Sequence, residues 1–406
     1  MYITLIAVPC SAVLLFLIWR TIQRHREHVR YRYSQANRLP EKEPPRDPYQ
    51  DIEPLRDLDW TTKPPIKIRP FKPKYHLTMA LENCPLSELI EQDDTFLERI
   101  QHRKDVMDQH PTETYQCNPV CESAVTELYR WMMGSYLPKR FPTMYRLVYP
   151  TVTSEKSESS VPYLINIPAS KCIPLRPSSA TEALYLLGEN VDTDMLLLLP
   201  GSTSPDGIPI YRLQAYVTCF PAGFATQDKL GLTLTGIHKP VPGYVAKLEK
   251  SMDRFFAKLG FGRAVRRANW SISTNDKLYS QGGNHMYEDG STHTVSETTS
   301  RGGNEKTLDT ESPDLDAIIE EQKKDVKVED CRLRCERQTL HRLPDSNALV
   351  FMFKTYQYPL ADVKADGDGP ELAEAIRGLG TGNVPDMKIY KRAVVWSDKV
   401  IDYLES

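Results

Sequence analysis

Residues 331–358 read CRLRCERQTLHRLPDSNALVFMFKTYQY, a charged half followed by a half that is almost continuously apolar. The apolar run 348–356 reads as a strand buried on both faces. Pro344-Asp345-Ser346-Asn347 between the halves is turn chemistry, so the pattern predicts a hairpin. Alternation points Leu333, Cys335, Arg337, Thr339 and His341 one way, and Arg334, Glu336, Gln338, Leu340 and Arg342 the other. A buried polar group left unpaired costs roughly 1 to 3 kcal/mol. Glu336, Arg337 and Gln338 are therefore expected either in a fixed hydrogen-bond network or around a polar ligand.

Elsewhere, apolar residues recur at helical spacing over 93–109 and 118–136, with Val125, Leu128, Trp131, Met132 and Tyr136 on one face. Strands are predicted at 163–167, 195–199 and 211–220, and a helix over 180–187 stopped by Gly188. A further helix is predicted over 226–237, ended by His238-Lys239-Pro240-Val241-Pro242. On it Leu230, Leu234 and His238 share a face, and Gly231 and Gly236 leave room for a flat partner. A lone histidine on an apolar face is more often a satisfied core residue than a ligand. Another amphipathic helix, marked by Val245, Leu248, Met252, Phe255, Phe256 and Leu259, leads to Arg263, Arg266, Arg267, Asn269 and Trp270. That cluster suits a carboxylate, and equally a solvated helix end. The glycine run 378–382 follows a helix predicted over 369–377 instead of opening one after a strand, so it fails the dinucleotide context.

Outside these periodic stretches the chain changes character three times. Residues 2–19 form an 18-residue apolar run without a charge, followed by Arg20, Arg24, Arg26, Arg30 and Arg32. This predicts an uncleaved transmembrane anchor over 1–20 with everything after it in the cytosol. Residues 21–73 are basic and then proline-rich, from Pro40 to Pro73, and read as an extended stalk. The folded domain is expected over 74–406. It carries a Gly, Ser, Thr and Asn-rich insertion over 275–313, poorest in apolar residues over 281–312, that is expected to be disordered.

Composition narrows the function classes. With 406 residues, 40% of them hydrophobic, the chain can bury one large core or two moderate ones. A net charge of −3, with no basic face interleaved by aromatics, argues against nucleic acid as a partner. The eight cysteines include Cys117/Cys121 and Cys331/Cys335, neither pair at zinc-knuckle spacing, and read as reduced thiols of a cytosolic domain. Phosphate loops, nucleophile elbows, HExxH pairs and dinucleotide fingerprints are absent. The residues by themselves thus describe an anchored α+β domain with a polar, partly buried site.

The hairpin segment LRCERQTLHRLPDSNALVFMFKTY, with KPKYHLTMAL, CFPAGF, KLGLTLTGIHKPVP and RRANW before it, resembles the haem-dependent oxidative N-demethylase alpha subunits. The resemblance covers about residues 75–404 apart from the insertion; the anchor, stalk and insertion depart from the soluble bacterial form. It implies a PAS-like haem-binding domain, an antiparallel sheet with surrounding helices, that oxidises a small amine with O2. It also implies one protein ligand on the haem iron. His238 is the first choice, with His76 and His341 as alternatives. Arg267, Asn269 and Trp270 would bind the cofactor, and Glu336, Arg337 and Gln338 would be catalytic. With no dinucleotide fingerprint, electrons are expected from an external NAD(P)H-dependent reductase. A single-pass protein of the endoplasmic reticulum, its domain in the cytosol, fits this arrangement. A non-enzymatic haem or gas sensor and a haem-free tethered scaffold are the alternative readings.

Overall fold

In the computed structural model, residues 20, 21, 23, 47–149, 162–287 and 314–406 are described. The expected anchor over 1–20 therefore lies almost wholly outside the described residues. Among the described residues no helix is long and apolar enough to cross a membrane. Residues Pro48–Ser406 form one compact unit.

Among the described residues there are ten strands: β1 (Glu82–Cys84), β2 (Tyr115–Cys117), β3 (Tyr145–Val148), β4 (Tyr163–Asn166), β5 (Lys171–Pro174), β6 (Asp194–Thr203), β7 (Pro209–Val217), β8 (Ala264–Ser273), β9 (Arg332–Arg342) and β10 (Leu349–Pro359). Seven of them make one antiparallel sheet in the order β1-β8-β9-β10-β6-β7-β2, and β3-β4-β5 make a small second sheet. The fold is α+β. The expected hairpin is its centre: β9 and β10 pair from Leu349 opposite Arg342 to Pro359 opposite Arg332.

Register divides the sheet into two faces. One row runs Arg267, Gln338, Phe353, and the next Asn269, Glu336, Thr355. The alternate rows carry Ala268, Arg337 and Lys354, and Ala264, His341 and Val350, to the other face. Beneath His341 that second face packs on helices Phe96–Gln109 and Glu122–Trp131, burying Met107, Leu128, Met132, Val350 and Met352 in one core cluster. A second cluster joins Leu198, Val265 and Leu340 of the first face to Tyr244, Met252, Phe256 and the C-terminal helices Gly369–Arg377 and Ala393–Glu405.

Three expectations are corrected. The proline-rich segment is a packed strap from Pro48 onward rather than a free stalk. Tyr49, Ile52 and Ile68 are buried, Tyr49 Oη meets His341 Nδ1 at 2.8 Å, and Ile68 N donates to Tyr358 Oη at 3.2 Å. Proline favours extended chain whether or not it packs, and here the apolar residues between the prolines fill the second face of the sheet. The helix over 226–237 is interrupted. Gln227–Lys229 is a single 3-10 turn, Gly231 takes φ +83°, and Leu213 N donates to Leu232 O, so only Leu234–His238 is helical. Leu230 and His238 therefore do not share a helix face. Finally, Gly188 does not stop its helix, which runs Ala180–Asn190, because the missing side chain makes room for Met107 and Val217.

Arg263–Trp270, open between a cluster and a helix end, enters β8. The glycine run after residue 377 lies against incoming chain: a Cβ at Gly378 would come 2.3 Å from Pro73 O, and Tyr75 N donates to Gly378 O.

Candidate functional site

A cavity of about 300 Å³ opens on the first face of the sheet, within the size range of small-molecule sites. Its floor is β8, β9 and β10. Its walls are apolar, with Leu196, Leu198, Leu213, Val241, Met252 and Phe256 among them. Set into those walls are His238, His285, Lys229, Lys391, Arg267, Arg334, Glu336 and Gln338.

His238 ends its short helix, which starts with Thr233 Oγ1 accepting from Gly236 N at 3.2 Å. Its ring stacks on Tyr244, with centroids 4.7 Å apart, and its Nδ1 lies 2.9 Å from Leu234 O. A carbonyl oxygen only accepts, so Nδ1 carries the proton and Nε2 keeps its lone pair. Burial lowers the pKa to about 4, with Lys229 and Arg267 adding repulsion, so the imidazole is neutral at pH 7.

His285 has the same design. Nδ1 faces Gly223 O at 3.4 Å, the ring lies on Tyr390 at 4.5 Å, and burial lowers the pKa to about 3. The sequence reading missed this residue because it falls where the insertion was expected to lack structure. Residues 281–287 are in fact packed. Met286 is buried and its N donates to Tyr390 O at 3.1 Å, while Arg392 donates to Gly283 O at 3.2 Å. The remainder of the expected insertion, 288–313, lies outside the described residues. The signal available was the pair of large apolar residues, Met286 and Tyr287, beside the histidine.

Cations outnumber carboxylates around the cavity. Lys229 and Lys391 are both held at a pKa of about 8, chiefly by burial, and burial also lowers that of Arg267, whose Nε has no partner. Lys229 sits over the Phe224 ring at 3.8 Å; Lys391 donates to Trp270 O and, at 3.4 Å, to Asn269 Oδ1. Arg334 is differently employed: it donates to the carbonyls of Phe220, Pro221, Lys277 and Leu278, tying two cavity-wall segments to β9. Among the described residues Glu336 is the one carboxylate lining the cavity, and its Oε2 accepts from Gln338 Nε2 at 2.7 Å.

Of the residues singled out from sequence, His238, Arg267, Asn269, Trp270, Glu336 and Gln338 therefore come together. Three do not. Arg337 is on the opposite face of β9, donating to Leu89 O at 3.2 Å and to Glu88 O, because neighbours along a strand alternate. His341 also points there, fully buried, with Nε2 lacking any partner and its ring 5.4 Å from Trp131. His76 is exposed and outside the lining.

A family model described as haem-dependent oxidative N-demethylase, alpha subunit-like, matches residues 80–401. The chain belongs to this family. The match takes in every strand of both sheets and all the cavity histidines, but leaves the strap and residues 1–79 outside it. The family's name implies haem, and the cavity fits that group on its own chemistry. It has apolar walls for the macrocycle, two neutral imidazoles whose Nδ1–H groups are anchored on backbone carbonyls as metal-binding histidines usually are, and buried cations with free donors for carboxylates.

Proposed function

We propose that the protein is a haem-dependent oxidoreductase that removes an N-methyl group from a small amine, or carries out a related amine oxidation. The observation that carries this reading is His238: a dehydrated, neutral imidazole with Nε2 free in an apolar cavity, the form in which histidine ligates iron. Haem, when bound, supplies the activation of O2. Arg267 and Lys229, the cations with unsatisfied donors or no carboxylate partner, would hold its propionates, with Asn269 and Trp270 fixing Lys391 beside them.

Glu336 would take the ammonium of the incoming amine and accept its proton, since oxidation of the amine needs the nitrogen lone pair. Gln338 holds that carboxylate in one orientation through its 2.7 Å bond. The inner strands β7-β6-β10-β9-β8 follow the chain order second, first, fifth, fourth, third, with the cavity on one face, which supports the PAS-like expectation. Electrons would come from an external NAD(P)H-dependent reductase, and residues 1–20 would place the domain on the cytosolic side of the endoplasmic reticulum. The test is formaldehyde release from a panel of secondary and tertiary N-methylamines by the haem-loaded chain supplied with electrons and O2. Amine-dependent formaldehyde, lost in Glu336→Gln, is expected; none from any amine by a correctly haem-loaded chain would refute the enzymatic reading.

A further inference from the structure

His285 is the feature of the cavity that neither the family description nor the sequence pattern assigns. Its place is built rather than incidental. The segment that carries it is sewn to the CFPAGF loop by Gly223 N donating to Ser280 O at 2.7 Å, and to the C-terminal region by Met286 N to Tyr390 O and Arg392 to Gly283 O. Gly223 takes φ +86°, and a Cβ there would fall 2.8 Å from Asn284 Cβ and 3.0 Å from His285 Nδ1. The absence of a side chain at 223 thus lets the imidazole lie against the loop. With Nδ1–H directed at Gly223 O, Nε2 is a Lewis base and not a donor. It is suited to bind iron, and unsuited to donate a hydrogen bond to an iron ligand.

We propose that His285 is a second iron-binding histidine, so that His238 and His285, which both line this cavity, would both hold the iron of a bound ferric haem, and external ligands would reach it only once His285 is displaced. This rests on the haem reading above. Two nitrogen ligands give a low-spin iron; losing one leaves a high-spin, five-coordinate or water-bound iron.

The experiment uses the full chain purified in detergent with haem supplied, and compares the wild type with His285→Ala, His285→Gln and Gly223→Ala by absorbance and electron paramagnetic resonance. The wild type is expected to be low-spin. Both His285 variants are expected to be high-spin and to return to low-spin on adding imidazole, and Gly223→Ala to be a mixture. Carbon monoxide should bind the ferrous His285→Ala protein at least about tenfold faster than the wild type, if the wild-type site is open a tenth of the time or less. Circular dichroism of each variant checks folding. A wild type that binds haem but is high-spin, or is low-spin and unchanged by loss of His285, overturns this inference alone. A folded wild type that takes up no haem overturns the haem reading, and this inference with it.

Discussion

Replacing Arg334 by methionine keeps the length of the side chain and removes its donors, which makes it a sharp test of how the cavity wall is held. The guanidinium gives four hydrogen bonds of 2.9 to 3.1 Å to the carbonyls of Lys277, Leu278, Phe220 and Pro221. At about 1.5 kcal/mol for each charge-assisted bond, the lower end of the range because one group serves all four, they stabilise the fold by about 6 kcal/mol. Burial of the cation opposes this: its pKa falls from 12.5 to about 10, which corresponds to about 3 kcal/mol. The net expected loss is thus about 3 kcal/mol, or a fall in Tm of about 4 °C for a domain of this size. Thermal and urea unfolding of the wild type and variant measure it, and hydrogen exchange over residues 277–287 should show that stretch losing protection first. A variant within 1 kcal/mol of wild type, as the roughly ±0.5 kcal/mol scatter of neutral substitutions would give, would refute the clamp.

Other outcomes follow from the same geometry. Burial lowers the pKa of His238 to about 4 and those of His285 and His341 to about 3, from 6.5. Being depressed, these groups contribute stability that is complete above pH 6.5 and lost as pH falls toward those values. Each accounts for about 2 kcal/mol by pH 5; urea unfolding of the haem-free protein at pH 7 and pH 5 should show the loss, and equal stabilities would contradict it. Arg337→Met should destabilise the domain by about 2 kcal/mol, through the Leu89 and Glu88 carbonyls it leaves unpaired, yet leave the haem spectrum unaltered; a shifted spectrum would put Arg337 back in the site. A chain lacking residues 1–73 should be less stable by several kcal/mol in urea unfolding than one starting at Pro48, since Tyr49, Ile52 and Ile68 each contribute about 1.5 to 3 kcal/mol by burial; equal stabilities would contradict the packed strap.

The central hairpin was legible because its signals were local: a long apolar run, a polar run and turn residues between them. The same alternation correctly put Glu336 and Gln338 on one face and His341 on the other, although it did not by itself say which face held the cavity. Arg337 was grouped with its sequence neighbours by chemistry when the strand period should have separated them. His238 was singled out through the motif around it, and it lines the cavity although the helix face first used to place it is not formed, its ring being held by its own i−4 carbonyl, Leu234 O.

His285 and the strap were illegible for a common reason. Neither carries a helical or strand periodicity, and both are ordered by partners far away in sequence: Tyr390 and Arg392 for the one, His341 and Tyr358 for the other. Composition reports whether a segment can make its own core. It says nothing of whether a finished sheet will accept it.

The most direct measurement is the absorbance spectrum of the full chain, purified with haem supplied, beside that of its His238→Ala variant. A haem band in the wild type that is lost or displaced in the variant is the predicted result. A folded wild type without a haem band, or a band untouched by the loss of His238, would contradict the assignment of this cavity as a haem site ligated by that histidine.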